Sequence, residues 1–233
     1  MRIYLIRHAE PDYAKDTITP QGHREAEAVA RKLSTESITH LYSSPLGRAK
    51  DTAEYTSRST GLPVTILDWT AELPLKNIDP ASSVGAQWDI NGETVRGQPE
   101  LPSLSSWRSF PYFDNEPLHT AYDLVVRHSD EFLSGYGYER IDGKYRISSS
   151  NRARVAVVAH GGFGLTWLAH LLAIPLPLMW TGFFLATSSV TTVLFDERSS
   201  EWAVPRCINV GDTGHLYARG LALSQAGLKA NID

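Results

Sequence analysis

Cysteine is almost missing from this chain: its 233 residues include one, Cys207, so no disulfide can form within it. A lone cysteine in an apolar setting reads as a half-buried strand residue rather than a catalytic thiol. An excess of one charge is missing too. There are 22 basic and 26 acidic residues, a formal net charge of -4, and no basic run. That gives no electrostatic footing for nucleic acid or an anionic membrane, but it leaves room for an anionic substrate held by local arginines. Long hydrophobic runs are also lacking. The apolar stretch in Met1 to Ile6 is too short for the core of a signal peptide. Phe163 to Trp180 is interrupted by Gly164, His170, Pro175 and Pro177, which predicts a buried helix ending near Ala173 rather than a membrane span. The cytoplasm is the expected compartment. With no second cysteine and no i, i+4 pair among eight histidines, neither a metal site nor any other cofactor is expected. Gly161-Gly162-Phe163-Gly164 lacks the third glycine of a nucleotide fingerprint, Thr166 and Trp167 standing in its place. No internal repeat occurs.

What is present, 42% hydrophobic residues, suffices to close a core. Ile3 to Ile6 and Val155 to Ala159 are continuous apolar runs, as in strands buried on both faces. Thr19-Pro20 supplies an N-cap and a first helical residue, and Ala26, Val29, Ala30 and Leu33 form one apolar helical face. Leu41 to Ser43 predicts a second strand, with a helix from Ser44-Pro45 closed by Gly61 and Pro63, and Val64 to Leu67 a third strand. Another helix is expected over His119 to Leu133, and a closing antiparallel pair over Val190 to Phe195 and Glu201 to Pro205. The expected architecture is a three-layer α/β/α sandwich with a mostly parallel central sheet and an antiparallel edge. It forms one domain over residues 1–233, with an irregular insertion at about 74–118 and a hairpin at about 138–147 around Asp142-Gly143.

Chemistry-bearing residues fall just beyond buried strands, where ligands of such sheets bind. Arg7 and His8 follow the first strand, His160 follows Val155 to Ala159, and Arg48 stands in the first turn of the second helix. Two arginines and a helix N-terminus brought to one sheet edge would make an anion site. Two histidines there would add a nucleophile and a proton-handling or phosphate-binding partner. Each part is weak alone; their consistent order carries the weight.

Leu5-Ile6-Arg7-His8-Ala9-Glu10, Thr19-Pro20-Gln21-Gly22 with Glu25-Ala26, Tyr42 to Ala53 and Val157 to Gly162 together resemble the motifs of the histidine phosphatase superfamily, also called phosphoglycerate mutase-like. The resemblance covers about residues 1–73 and 153–195. It implies that His8 is the nucleophile that becomes phosphorylated, and that Arg7, Arg48, His160 and Gly161, at the helix N-terminus, hold the phosphate oxygens. Glu72, after the third strand, best matches the general acid, ahead of Glu10 and Asp12; His160 joins His8 and Glu72 in the catalytic set. The implied reaction is hydrolysis of a small phosphate monoester through a phosphohistidine. The alternatives are a mutase-like phosphotransferase or an inactive relative that only binds a phospho-ligand. Ala9 and Pro11 depart from the family's usual Gly and Thr. Ten residues separate His8 from Thr19, without the Trp-containing segment of the mutases, which favours a phosphatase. The aromatics Trp88, Trp107, Phe110, Tyr112 and Phe113 suggest a cover over the site, with Arg96 and Arg108 available for a second anionic group.

Overall fold

A computed structural model describes residues 1–76 and 86–228. Strand β1 (Arg2–Arg7) is followed by a ribbon of β2 (Pro11–Asp12) and β3 (Thr17–Ile18), then by helix α1 (Pro20–Thr35), β4 (His40–Ser43), α2 (Gly47–Thr60) and β5 (Val64–Ile66). Helices α3 (Gly92–Arg96) and α4 (Glu116–Ser134) lead to β6 (Tyr138–Ile141) and β7 (Lys144–Ile147). The chain continues through β8 (Arg154–Ala159), α5 (Gly161–Leu172), α6 (Leu176–Gly182), β9 (Val190–Glu197), β10 (Trp202–Asp212) and α7 (Gly214–Tyr217).

Eight strands form one sheet in the order β5-β4-β8-β1-β9-β10-β7-β6. The first four are parallel, and β9, β10, β7 and β6 continue the sheet antiparallel. The hairpin β6-β7 thus joins the main sheet and widens its antiparallel side to four strands. Ile3 to Ile6 of β1 and Val155 to Ala159 of β8 are apolar because both their faces are covered. Ile3, Leu5, Val155 and Val157 enter a core shared with α4, α5 and α6, whereas Tyr4, Ile6, Ala156 and Val158 enter the core under α1 and α2.

Several boundaries differ from the sequence reading. Helix α4 starts at Glu116 rather than His119, because the Asn115 side chain accepts the Leu118 N–H and Pro117 fits the first turn. β10 runs on to Asp212 through two register shifts, where the alternation of its side chains breaks down. Helix α6 forms just after α5, its Pro175 and Pro177 starting a new helix as well as ending the old one. Of the expected insertion at 74–118, residues 77–85 lie outside the described residues. The remainder holds α3 and two 3-10 turns, Gln87–Asp89 and Trp107–Ser109. Trp107, Phe110 and Phe113 are buried in the main core. Cys207 sits half-buried on β10 with its thiol toward the Asn209 carbonyl. No helix among the described residues is long and apolar enough to cross a membrane.

Candidate active site

Register alone places the two histidines together. Arg7 on β1 pairs with Ala159 on parallel β8, so the next residue on each strand is a histidine. The ring centroids of His8 and His160 lie 5.2 Å apart. β4 flanks β8 on the other side, with Ser43 opposite Val158, which brings Ser44 to His160. Helix α2 follows directly and carries Arg48 to the same edge.

His8 is 2% exposed. Its Nδ1 lies 2.8 Å from the Ala9 carbonyl, which can only accept, so Nδ1 carries the proton and Nε2 the lone pair. Burial, then His160 and Arg7, hold its pKa well below the usual histidine value. His160 is wholly buried, and its Nε2 lies 2.7 Å from Ser44 Oγ. Ser44 Oγ also accepts the Leu46 N–H. Burial, with Arg48 and Arg7, lowers the pKa of His160 to about 3. Both imidazoles are therefore neutral near pH 7.

Each arginine is anchored by one side of its guanidinium. Arg7 Nη1 donates to the Leu185 carbonyl at 2.6 Å and Nη2 to the Ala226 carbonyl at 3.2 Å. Its Nε faces the first turn of α5, since a Cβ added at Gly161 would lie 3.5 Å from it. Arg48 Nη1 donates to Asp16 at 2.7 Å, and the other oxygen of Asp16 accepts the Gly47 N–H at 2.7 Å. Gly47 is needed there, because a Cβ would collide with the Asp16 carbonyl. Tyr13, at the tip of the ribbon, lies 5.4 Å from the Arg48 guanidinium and edge-on to His8. Arg7 Nε, Arg48 Nε and His160 Nδ1 are buried and have no hydrogen-bond partner among the described residues.

Glu72 spans the first turn of α5. One oxygen accepts the Phe163 and Leu73 N–H groups at 2.7 and 3.0 Å, and the other accepts the Gly162 N–H at 3.1 Å. Burial raises its pKa, against these N–H donors and Arg7. Glu10 and Asp12 have other partners: the Glu10 carboxylate accepts from the Thr19 hydroxyl, and Asp12 pairs with Lys15. Of the aromatics expected to cover the site, Trp88 does lie there, so close to Gly162 that a Cβ would strike its ring. Trp107, Phe110 and Phe113 are core residues instead, and Arg108 is paired with Asp123 and lies over the Trp107 ring. Arg96 packs near Gly182 on α6.

Several supporting residues escaped the sequence reading. Glu25 is fully buried and accepts both the Glu10 N–H and the Ser188 hydroxyl at 3.0 Å. The Ser188 N–H reaches the carbonyls of Arg7 and His8, and its own carbonyl lies 3.0 Å from His215 Nε2. This network fixes the end of β1 from below. Glu25 stands in a motif that carries the family resemblance, but its role in this network was not read from it. Asp16 and Ala226 gave no sequence signal. Among the described residues no three His, Cys, Asp or Glu side chains gather as a metal site.

Two buried neutral histidines have a thermodynamic consequence. Below pH 6.5 the unfolded chain binds protons that the folded state refuses, so stability falls as pH falls. Each imidazole contributes about 1.4 kcal/mol per pH unit between its unfolded and folded pKa. Denaturant unfolding at pH 7.5, 6 and 5 should show this decline, and a His8→Gln/His160→Gln double variant should flatten it. Equal slopes in the two proteins would contradict the neutral assignment.

The family model for the histidine phosphatase superfamily (branch 1) matches residues 3–84. The probable phosphoglycerate mutase GpmB of Photorhabdus laumondii is 29% identical over 102 residues, which cover 38% of this chain and 47% of that protein. Its counterpart in Escherichia coli O1:K1 is 28% identical over 141 residues, 53% of this chain and 64% of that protein. The chain thus spans about half to two thirds of the length of these curated relatives. Phosphoserine phosphatase of Entamoeba histolytica, solved with 3-phosphoglyceric acid, superposes with a TM-score of 0.60 at 22% identity, over 92% of this chain and 98% of that one. A mycobacterial glucosyl-3-phosphoglycerate phosphatase superposes with a TM-score of 0.60 at 21% identity, over 90% and 97%. The N-terminal third thus matches the model of the histidine phosphatase superfamily, and the chain as a whole shares its fold with these phosphatases.

Proposed function

We propose that this protein hydrolyses phosphate monoesters by way of a phosphohistidine on His8. One observation carries the reading: three buried nitrogens without partners, Arg7 Nε, Arg48 Nε and His160 Nδ1, come from the three elements whose ends adjoin His8, and His8 keeps its Nε2 unprotonated. Unpaired buried donors are costly, and a phosphoryl group offers an acceptor oxygen to each. The same donors would stabilise the charge that gathers on the equatorial oxygens during transfer.

In the first step His8 Nε2 attacks phosphorus and the bond to the ester oxygen breaks. The departing alkoxide takes the proton of the Glu72 carboxyl group. In the second step Glu72, now a carboxylate, takes a proton from water as its oxygen attacks phosphorus. The P–N bond breaks, releasing inorganic phosphate and restoring both His8 and protonated Glu72. His160 binds an oxygen throughout, with its ring proton on Nδ1 and its Nε2 accepting the Ser44 hydroxyl.

The names of the curated relatives favour a second reading, transfer to another hydroxyl instead of water. Turnover of a simple alkyl phosphate in the presence of excess glycerol or glycerate separates the two. The expected result is inorganic phosphate in one-to-one yield with the released alcohol. Recovery of most of the phosphoryl group on the added acceptor would establish the mutase reading, and tight ester binding without turnover the inactive one.

A further inference from the structure

Beside Glu72 lies a cavity of about 870 Å³. Its walls are Ile66, Leu67, Trp69, Leu73 and, from α4, Leu124 and Val125, with Ala121 leaving space between them. The volume falls within the range of ordinary small-molecule sites. Glu72 belongs both to this wall and to the first turn of α5, beside the donors around His8. The cavity therefore opens next to the carboxyl group that must meet the ester oxygen.

Its charge is as informative as its shape. No lysine or arginine lines it among the described residues, whereas Asp68 and Glu116 do. A substrate with a second phosphate or a carboxylate on its alcohol would meet these two carboxylates, against which the lining sets the His128 ring and the Thr120 hydroxyl but no guanidinium or ammonium group. Arg108, paired with Asp123, and Arg96, against α6, do not line it either. We propose that this cavity takes the alcohol portion of the ester, and that the preferred substrates are monophosphates of uncharged, apolar alcohols rather than phosphoglycerate-like acids. This rests on the hydrolase reading for its catalytic consequence, though not for its binding consequence.

A series of esters with alcohols of similar acidity tests it: ethyl, butyl, hexyl and 3-phenylpropyl phosphate, with 3-phosphoglycerate as the anionic member. Each buried methylene should raise kcat/KM about fourfold, so hexyl phosphate, with four more methylenes, should exceed ethyl phosphate by up to about 250-fold if all four are buried, and 3-phosphoglycerate should be poor. A higher value for 3-phenylpropyl than for hexyl phosphate would mark the cavity as aryl-selective. Leu124 is 43% exposed and lines the cavity from α4; Leu124→Asp should abolish the chain-length preference. A flat series with good turnover would overturn the proposal while the hydrolase reading stood. So would a dimer that Leu124→Asp dissociates, if the series were flat. If no ester is turned over, Trp69 fluorescence decides: tighter binding of hexyl than ethyl phosphate, lost in Leu124→Asp, upholds the cavity assignment while the hydrolase reading fails. Equal binding of the two removes the assignment.

Discussion

Replacing His8 by Ala should lower kcat/KM for every ester by roughly 10³-fold or more, the scale expected when a covalent nucleophile is removed. Rapid acid-free quench of the native protein with a labelled ester should trap phosphate on His8, in a form labile to acid and stable to base. The geometry gives this its force. The hydrogen bond of Nδ1 to the Ala9 carbonyl leaves Nε2 as the sole nitrogen able to attack. The low pKa keeps that nitrogen unprotonated through the neutral range. A free imidazole added to His8→Ala can restore part of the rate only if the gap is accessible to it, so the labelled adduct is the decisive readout. Label on another residue, or full activity in His8→Ala with an unchanged unfolding midpoint, would end the covalent role.

The pattern that placed His8, Arg7, Arg48 and His160 was local, and that is why it could be read from the chain. Each follows a buried apolar strand or a helix-starting segment, and parallel pairing of β1, β8 and β4 needs no more than their ends to coincide. The residues that hold them were not legible in the same way. Asp16 fixes Arg48 from a loop 32 residues earlier and adopts a left-handed backbone, with φ of 48°. Ala226 meets Arg7 through a carbonyl, which every residue possesses. Ser44 was visible in its motif, but its bond to His160 depends on the neighbouring strand. The insertion's aromatics misled in part because burial in a core and cover over a site demand the same side chains. Trp88 went to the site, and Trp107, Phe110 and Phe113 went to the core. Departures at Ala9 and Pro11 proved compatible with an ordered loop: Ala9 supplies its carbonyl to His8 and its N–H to Thr52, and Pro11 pairs in the β2-β3 ribbon.

Glu72→Gln should slow the phosphorylation step of an alkyl phosphate by about 10²–10⁴-fold, the usual contribution of a general acid. It should slow an aryl phosphate with an acidic phenol far less, because that leaving group needs little protonation. Two opposed effects act on the native carboxyl group. Burial favours its neutral form, and three backbone N–H groups together with Arg7 favour the anion, with burial the larger. The protonated form is the one that can donate, so kcat/KM for alkyl esters should fall as pH rises through this raised pKa. The aryl ester should lack that alkaline limb, and Glu72→Gln should lose it with both. Glutamine also disturbs structure: it keeps one accepting oxygen for Phe163 and Leu73 but turns an NH₂ toward the Gly162 N–H. A purely structural role at the start of α5 would therefore cost both esters equally, since both need the same phosphate contacts. The ratio of the two losses, measured where phosphorylation limits the rate, separates acid from cap. Equal losses would take Glu72 out of the acid role, and a selective loss in Glu10→Gln or Asp12→Asn would move that role to the loop beside His8.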